Sequence, residues 1–361
     1  MSDQVWNVWE ITRSLRDRAE ASGHSVIDLG QGTPTDPTPR LIQDALAAAS
    51  DAPGYPPAHG TPALRTAYSD WLHRRFGAAL DPNDVVATVG SKEFIATLPW
   101  LLGLGPSDLM LIPQLAYPTY AAGAAAVGCQ TLASDSVLAA GPRRPAIVWL
   151  NTPGNPTGRV LPAEHLAKVV DWARERNTIV VSDECYIELT DPGVAPVSLL
   201  SPAVARGSYD NLLAVHSLSK RSAMAGFRCG FVSGDAQLVA RLLKRRRDMG
   251  LIVPTPVQAA AVAALSDDAH VQQARQRYAE RRRLIRTAVV AAGFTVDHSE
   301  AGLFVWATRG EPDADSAAWL ADRGIVAAPG GFYGPAGRQH VRLSLTAPDA
   351  ELAEVARRLT G

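Results

Sequence analysis

Short runs of apolar, β-branched residues alternate with alanine-rich helical patterns through most of this chain. The runs are VVATVG, LMLI, AIVWL, TIVVSD, LLAVHS and CGFVS, which begin at residues 85, 109, 146, 178, 212 and 229. The helical patterns between them include APGYPPAHGTPALRTAYSDWLHRRFG, LPAEHLAKVVDWARERN and AQLVARLLKRRRDMG. Continuously apolar strands separated by helices predict a mostly parallel sheet that helices cover on both faces. The sequence therefore predicts a doubly wound α/β domain.

The pattern changes after about residue 255. A long helical pattern, VQAAAVAALSDDAHVQQARQRYAERRRLIRTAVVAAG, is followed by the strand patterns FTVDHS, GLFVWATR and HVRLSLT, a helix SAAWLADRG and a terminal helix. This mixture predicts a smaller α+β domain over residues 256–361, which the N-terminal segment 1–35 completes. Residues 36–255 would then form the large domain.

The charge distribution gives no sign of a polyanionic partner. Apolar residues make up 47% of the 361-residue chain and the formal net charge is -1, which is ordinary for a soluble globular protein. We therefore expect no nucleic-acid partner. Basic runs at residues 244–247 and 281–283 lie in helical patterns flanked by acids, which favours solvated helix faces.

Targeting, membrane and metal signals are not found in the sequence. The first 24 residues lack the basic start and apolar run of a signal peptide, and the longest apolar stretch, residues 94–105, is interrupted by a proline. We expect a cytoplasmic protein without a membrane segment. Cys129, Cys185 and Cys229 are too scattered for a disulfide framework or a zinc site, so we expect reduced, mostly buried thiols and no metal.

The segment HSLSKRSAMAGFRCG places Ser217, Ser219, Lys220 and Arg228 within twelve residues at the end of an apolar strand. Ligands of doubly wound sheets bind in the crevice at such strand ends. A lysine amine can condense with an aldehyde there, while serine hydroxyls and an arginine bind a phosphate. The alternative is a surface turn of serine and lysine.

Two further strand ends carry polar side chains. Asp183 ends the run TIVVSD, where a carboxylate is costly without a cationic partner such as the protonated pyridine nitrogen of pyridoxal 5'-phosphate (PLP). The alternative for Asp183 is a helix cap. Asn155, in NTPGNPTGRV after AIVWL, could donate to the phenolic oxygen of that cofactor, or could belong to a plain turn.

Three weaker signals fit the same kind of site. Gly90, Ser91 and Lys92 open a helical pattern after VVATVG, which is a turn that can bind an anion. Tyr117, in PQLAYPTY, could stack on a planar ring or be a core tyrosine. Arg342, in the strand pattern HVRLSLT, could grip a carboxylate through two hydrogen bonds or be an exposed strand residue.

Taken together, these motifs resemble the class I/II aminotransferases of PLP fold type I over nearly the whole chain. The matching stretches are LGQGTP, GYPPAHGTPALR, GSKE, AYPTY, NPTG, SDECY, SLSK followed by GFRCG, and VRLSL. The resemblance implies the cofactor PLP, ping-pong transfer of an amino group, a large doubly wound domain with a smaller α+β domain, and a homodimer with shared active sites.

The resemblance also implies a role for each matching residue around the cofactor ring. Lys220 would be the Schiff-base lysine and the proton shuttle. Asp183 would pair with the pyridine nitrogen, whereas Asn155 and Tyr186 would contact the phenolic oxygen. Tyr117 would stack on the ring.

Further roles concern the cofactor phosphate and the substrate. The resemblance implies a phosphate site made of Ser91, Ser217, Ser219 and Arg228, with Lys92 in the same turn. Tyr55 would reach the phosphate of the neighbouring subunit. Gly32 and Arg342 would hold the α-carboxylate of the substrate.

Within this family, the likeness is greatest to the bacterial N-succinyldiaminopimelate aminotransferases, in phrases such as DLGQGTPTDPTPRLIQDALAAAS and TVDHSEAGLFVWATRGEP with GGFYGP. This resemblance implies N-succinyl-LL-2,6-diaminopimelate and 2-oxoglutarate/glutamate as substrates, in lysine and diaminopimelate biosynthesis. Lys92 and Glu93 are candidates for contacting the distal part of the substrate. The alternatives are an aminotransferase for another amino acid, a carbon–sulfur lyase on the same scaffold, and a PLP-binding transcriptional regulator, which would need a DNA-binding domain in addition.

Overall fold

The computed structural model describes residues 7–361. Its strands are, in chain order, β1 (Ile27–Asp28), β2 (Val85–Thr88), β3 (Leu109–Ile112), β4 (Gln130–Ala133), β5 (Ile147–Asn151), β6 (Ile179–Asp183), β7 (Leu212–Ser217), β8 (Gly230–Gly234), β9 (Thr295–Val296), β10 (Phe304–Thr308), β11 (Ile325–Val326), β12 (Ala328–Pro329) and β13 (His340–Ser344).

The helices of the described residues are, in chain order, α1 (Asn7–Ala21), α2 (Arg40–Ala48), α3 (Pro62–Phe76), α4 (Ser91–Leu102), α5 (Thr119–Ala126), α6 (Ala163–Glu175), α7 (Pro202–Ala205), α8 (Leu218–Arg221), α9 (Ala236–Asp248), α10 (Thr255–Ser266), α11 (Ala269–Ala291), α12 (Asp313–Ala321) and α13 (Asp349–Thr360). No helix in this part of the chain is long and apolar enough to cross a membrane.

The central sheet has seven strands in the order β2-β8-β7-β6-β5-β3-β4. Strands β7, β6, β5, β3 and β4 pair in parallel, whereas β8 runs antiparallel to both of its neighbours. Six of the seven strands, all except β4, correspond to the six predicted apolar runs. The predicted doubly wound, mostly parallel sheet is therefore confirmed. The sequence did not identify β4 because this edge strand is half-exposed and lacks a continuous apolar pattern.

Two helical patterns are shorter in the structure than in the sequence prediction. Helix α3 begins at Pro62, where the Thr61 hydroxyl accepts a hydrogen bond from the Leu64 amide and ends the preceding loop. The long pattern after residue 256 is two helices, α10 and α11. Asp267 separates them, and its carboxylate accepts the amide hydrogen of His270 at 2.9 Å.

A second sheet, β12-β13-β10-β9, and the two-stranded sheet β1-β11 lie with helices α1, α11, α12 and α13. Ile27 of β1 pairs with Ile325 of β11, so the N-terminal segment hydrogen-bonds with the C-terminal part of the chain. Leu15 and Leu29 belong to the same apolar core as Leu343 of β13. The first six residues of the predicted segment 1–35 lie outside the described residues.

Helix α10 packs on α2 and α3, and its side chains Ala260, Ala261, Ala264 and Leu265 lie in the core of the large sheet. We therefore propose that the large domain ends after Ser266 rather than at residue 255.

The two basic runs depart from the predicted solvated faces. Arg246 is fully buried and donates two hydrogen bonds to Glu93, at 2.7 and 3.0 Å. Arg281 and Arg282 are 5% and 1% exposed and pair with carboxylates on other elements. The prediction was wrong for these three side chains because their partners are distant in sequence, so the local charge pattern does not show them.

Candidate active site

The polar strand ends identified in the sequence lie along one edge of the large sheet. Strands β2, β5, β6 and β7 share one direction, so their carboxyl ends lie together. In the strand register, Asn151 lies opposite Asp183, and Gly230 of the antiparallel strand β8 lies opposite both Ser217 and Thr88. This edge is where a doubly wound sheet binds its ligand.

Lys220 lies in the single turn of α8, directly after β7. The Ser217 hydroxyl caps this turn by accepting a hydrogen bond from the Ser219 amide at 3.2 Å. The Lys220 ammonium donates to the carbonyl oxygen of Gly32 at 2.5 Å. Burial lowers the pKa of Lys220 to about 8, and the guanidinium groups of Arg342 and Arg228 act in the same direction. About a tenth of such a lysine is neutral at pH 7 and about half at pH 8, and the neutral amine can act as a nucleophile.

Asp183 is 4% exposed at the end of β6 and has two hydrogen-bond donors. Tyr120 donates its hydroxyl to Oδ2 at 2.7 Å, and the Cys185 amide donates to Oδ1 at 3.2 Å. Burial raises the pKa of the Asp183 carboxyl above its ordinary value, although hydrogen bonds from Cys185 and Tyr120 oppose the rise. A buried carboxylate of this kind is suited to pairing with a cation that a ligand brings.

An anion cradle lies at the start of α4. Gly90 precedes this helix at φ 76°, and a Cβ atom on Gly90 would lie 2.3 Å from Nη2 of Arg228. Only glycine therefore allows both the backbone conformation and the close approach of the guanidinium group. Ser91 begins the helix, and its hydroxyl accepts a hydrogen bond from the Cys185 thiol at 3.2 Å. Helix amides and a guanidinium group together favour a phosphate.

Of the two residues proposed to contact the distal substrate, Glu93 is placed elsewhere. Its carboxylate accepts hydrogen bonds from buried Arg246 and from the Val89 amide, the latter at 3.1 Å. Glu93 thus holds the start of α4 against α9, and the hypothesis that it contacts substrate is wrong. Lys92, in the same turn, has an exposed side chain.

Arg342 on β13 reaches this edge of the large sheet from the second sheet. Its side chain is 6% exposed and donates to Oδ1 of Asn155 at 2.9 Å and to the Gly30 carbonyl at 2.7 Å. The guanidinium carbon lies 4.0 Å from the ring centre of Phe304. Nε of Arg342 has no hydrogen-bond partner among the described residues, although it is buried. Arg342 therefore places a buried cation next to Asn155 and Lys220, where the carboxylate of a ligand would be stabilised.

Gly32 and Asn155 complete the surroundings of Arg342. A Cβ atom on Gly32 would lie 2.6 Å from the Phe304 ring, so any larger residue would displace either the ring or the backbone that accepts from Lys220. Because Oδ1 of Asn155 accepts from Arg342, the amide Nδ2 is the donor that Asn155 can offer to a ligand.

The three predicted tyrosines differ in exposure. Tyr186 is 8% exposed with its ring edge-on to Phe304, and burial raises its pKa well above the ordinary value. Tyr117 is half-buried and lies edge-on to Tyr120, with 5.9 Å between ring centres. Tyr55, by contrast, is fully exposed, so a single chain does not bring it to the other site residues.

Tyr120 is the residue of this site that the sequence analysis did not identify. It follows Tyr117 by three residues in AYPTY, at the start of α5. The two rings lie edge-on with centres 5.9 Å apart, and a second tyrosine so close to the predicted ring-stacking residue is the signal that could have identified Tyr120.

The residues present fit PLP. The lysine with a pKa near 8 matches the aldehyde, and the buried carboxylate matches the pyridine nitrogen. The glycine-lined anion cradle matches the phosphate, and the buried guanidinium group of Arg342 matches an amino-acid carboxylate. With the doubly wound sheet, they define an enzyme that uses PLP to act on amino acids.

Comparison with known proteins identifies the family. The model of the class I and II aminotransferases matches residues 24–359. A probable aminotransferase of Mycobacterium tuberculosis is 54% identical over 98% of this chain and 84% of its own length. The 4-dedimethylamino-4-oxo-anhydrotetracycline transaminase OxyQ of Streptomyces rimosus is 53% identical over 98% of both chains. The chain belongs to the class I and II aminotransferases, and its cofactor is PLP.

A solved structure shows the same fold over the full length. The probable N-succinyldiaminopimelate aminotransferase of Thermus thermophilus superposes with a TM-score of 0.88 at 29% identity, covering 98% of this chain and 99% of that one. The predicted family, fold class, enzyme class and cofactor are confirmed.

Proposed function

We propose that this aminotransferase transfers the amino group of N-succinyl-LL-2,6-diaminopimelate to 2-oxoglutarate, in lysine and diaminopimelate biosynthesis. The observation that carries an α-amino acid substrate is Arg342, a buried guanidinium group close enough to Lys220 to lower its pKa. The full-length likeness to the Thermus thermophilus structure supports the succinylated substrate.

Lys220 acts twice in this proposal. Its amine, which a pKa of about 8 leaves partly neutral near neutral pH, would hold the cofactor through its aldehyde group, with water as the leaving group. When free, the same amine would take the proton from the substrate Cα. The carbonyl oxygen of Gly32, which accepts from Lys220 at 2.5 Å, orients the amine between these steps. Bound PLP supplies the aldehyde and a protonated ring that draws electrons from the substrate.

The remaining residues bind and orient. In the proposal, Asp183 pairs with the pyridine nitrogen, and Asn155 and Tyr186 contact the phenolic oxygen. Tyr117 stacks on the ring. The phosphate is held by Ser91, Ser217, Ser219 and Arg228, with Lys92 at the rim of the same turn.

The substrate end and the assembly complete the proposal. Arg342 binds the α-carboxylate that the amino acid and the 2-oxo acid share, with the Gly32 backbone beside it. Tyr55 reaches the phosphate in the partner subunit of a homodimer, and its full exposure in one chain supports this role.

A second candidate substrate is a polycyclic ketone of the anhydrotetracycline type. It is favoured by the 53% identity to OxyQ, whose name specifies such a substrate. Identity at this level over the full length is greater than the 29% shared with the Thermus thermophilus protein. Both candidates use the same lysine chemistry, because fold and cofactor do not fix the substrate.

A substrate panel distinguishes these candidates. Holoenzyme is assayed with N-succinyl-LL-2,6-diaminopimelate, unsubstituted diaminopimelate, aspartate, an aromatic amino acid, cystathionine and 4-oxo-anhydrotetracycline with an amino donor, and kcat/KM is compared. We expect the succinylated donor to be preferred. Preference for the tetracycline or an aromatic donor, or release of pyruvate and ammonia from cystathionine as the main reaction, would reject the substrate assignment.

Arg342→Lys is the matched variant for this panel. A lysine keeps the charge but loses the two parallel hydrogen bonds, so kcat/KM should fall for the succinylated donor and for 2-oxoglutarate alike. A fall for one substrate alone would place Arg342 at the distal end instead of at the shared α-carboxylate.

A further inference from the structure

Tyr120 lies against the carboxylate of Asp183, and the family resemblance assigns it no role. Its hydroxyl donates to Oδ2 of Asp183 at 2.7 Å, while the Cys185 amide donates to Oδ1. Tyr120 is fully buried and Asp183 is 4% exposed. The two donors therefore fix both carboxylate oxygens, and water is excluded from the pair.

The position of the Tyr120 ring is set by elements other than Asp183. The ring stacks on Trp149 of β5, with ring centres 4.7 Å apart and planes 21° apart. Helix α5, which carries Tyr120, approaches α4 closely at Gly123, where a Cβ atom would lie 2.8 Å from the Ala96 carbonyl oxygen. Packing against the sheet and against α4 therefore holds the Tyr120 hydroxyl next to the Asp183 carboxylate, so the contact is preorganised.

The charge states of the pair suit this contact. Burial raises the pKa of Tyr120 well above its ordinary value, so the hydroxyl keeps its proton and remains a donor. Burial also raises the pKa of Asp183, and the Tyr120 hydroxyl opposes that rise by stabilising the charged form. The other titratable groups that act on these two residues are Tyr117, Cys185, Tyr186 and His216.

We propose that Tyr120 is a positioning residue, whose hydroxyl keeps Asp183 ionised and aimed at the pyridine nitrogen of the bound cofactor. The proposal rests on the proposed pairing of Asp183 with that nitrogen. The proposal gives Tyr120 a role distinct from that of Tyr117, which is proposed to stack on the ring of the cofactor. The competing explanation is that the hydrogen bond only gives the buried Tyr120 hydroxyl an acceptor and has no effect on how Asp183 binds the cofactor.

The test is Tyr120→Phe, which removes the hydroxyl and keeps the stacked ring. Without this donor the pKa of Asp183 rises, so the acid limb of the kcat/KM profile should move to higher pH. The dissociation constant of PLP, measured by equilibrium dialysis against the apoenzyme, should increase about tenfold, the size expected for one hydrogen bond to a charged group. Unchanged PLP affinity together with an unchanged acid limb would overturn the proposal.

Trp149→Phe is the matched control. It disturbs the same stack and leaves the Tyr120 hydroxyl in place, and the indole Nε1 that it removes has no hydrogen-bond partner among the described residues. We expect it to lower the Tm without moving the acid limb. An acid limb that moves equally in both variants would show that packing, and not the hydroxyl, is responsible.

Two more variants keep the test decisive. Tyr120→His retains a flat ring with an N–H donor, so it should restore part of the PLP affinity, and it replaces the phenylalanine variant if that chain does not fold. Asp183→Ala separates the two proposals. If it leaves PLP affinity and turnover unchanged, the role of Asp183 itself fails; if only Tyr120→Phe is without effect, the role of Tyr120 fails.

Discussion

At the scale of single residues, the proposed chemistry depends on the Lys220 amine, which burial and two guanidinium groups keep from being fully protonated. Burial lowers the pKa of Lys220 to about 8, and Arg342 and Arg228 add to the effect. An unperturbed lysine would be almost wholly cationic at that pH, because its pKa is about 10.4. In the proposed mechanism the neutral amine is the nucleophile, so the capture of the cofactor should depend on pH.

We therefore predict that the rate at which the apoenzyme captures PLP rises with pH and reaches half of its maximum near pH 8. Stopped-flow absorbance at the wavelength of the bound cofactor measures this rate. The lowered pKa makes the amine neutral above pH 8, so the rate should level off there. Lys220→Ala is the control and should show no covalent capture. A half-maximum near pH 10 would contradict the prediction.

The residues of this site differ in how visible they are in the sequence. Lys220, Asp183 and Arg342 each follow or lie in an apolar strand, where a charged side chain stands out against its neighbours. Tyr120 does not stand out in this way, because a tyrosine beside alanines is also common in a hydrophobic core. Its partner Asp183 is 63 residues away in the sequence. Glu93 was misplaced for a similar reason, since its partner Arg246 lies 153 residues away.

At the scale of elements, helix α11 is tied to the chain segment that leads into α2. Arg281 donates to the Asp36 carboxylate at 2.8 and 2.9 Å, and Arg277 adds a bond at 3.0 Å. Burial raises the pKa of Asp36, but the arginines outweigh it, so the pKa lies below its ordinary value. Asp36 therefore adds stability above the pKa of the unfolded chain, and this stability is lost as the pH falls through the folded pKa.

We predict that Asp36→Asn lowers the free energy of unfolding by about 2 kcal/mol at pH 7, since Arg281 is buried and would lose a charged acceptor. Urea unfolding at pH 7 and at pH 3 measures the change. The difference from the wild type should be smaller at pH 3, because below the ordinary pKa of aspartate the carboxyl group of the unfolded chain takes up a proton. The exposed pair Lys168 and Glu164 provides the control, because Glu164→Gln should change little at either pH. A difference that does not depend on pH would show that the ion pair is not its cause.

The elements themselves were predictable to the extent that their residues carry a local pattern. The six apolar strands carry such a pattern, because a strand that is buried on both faces is apolar at nearly every position. The sequence prediction missed the break between α10 and α11, because within the alanine-rich pattern only Asp267 and Asp268 separate the two helices. The packing of α10 on α2 and α3 was likewise hidden, since alanine faces suit either domain.

At the scale of the whole molecule, the single chain holds its site residues at one sheet edge and leaves Tyr55 fully exposed. A tyrosine side chain has a large apolar surface, and in the single chain this surface of Tyr55 is fully exposed to solvent. In the proposed homodimer, Tyr55 of each chain would lie at the phosphate of the other, so that every site needs both chains. The proposal can be tested without a structure of the dimer, because defects on different chains then combine in a defined way.

We predict that mixing Lys220→Ala chains with Tyr55→Phe chains partly restores activity. In a mixed dimer, one site carries both defects and the other carries neither, so about a quarter of all sites should be intact after random exchange of equal amounts. Differently tagged chains establish that exchange has occurred, and transaminase activity is measured before and after it. Lys220→Ala mixed with Asp183→Ala is the matched control. Both of those residues lie in the site of their own chain, so every mixed site keeps one defect and no activity should return. No recovery in the first mixture after proven exchange, or equal recovery in both mixtures, would contradict a site shared through Tyr55.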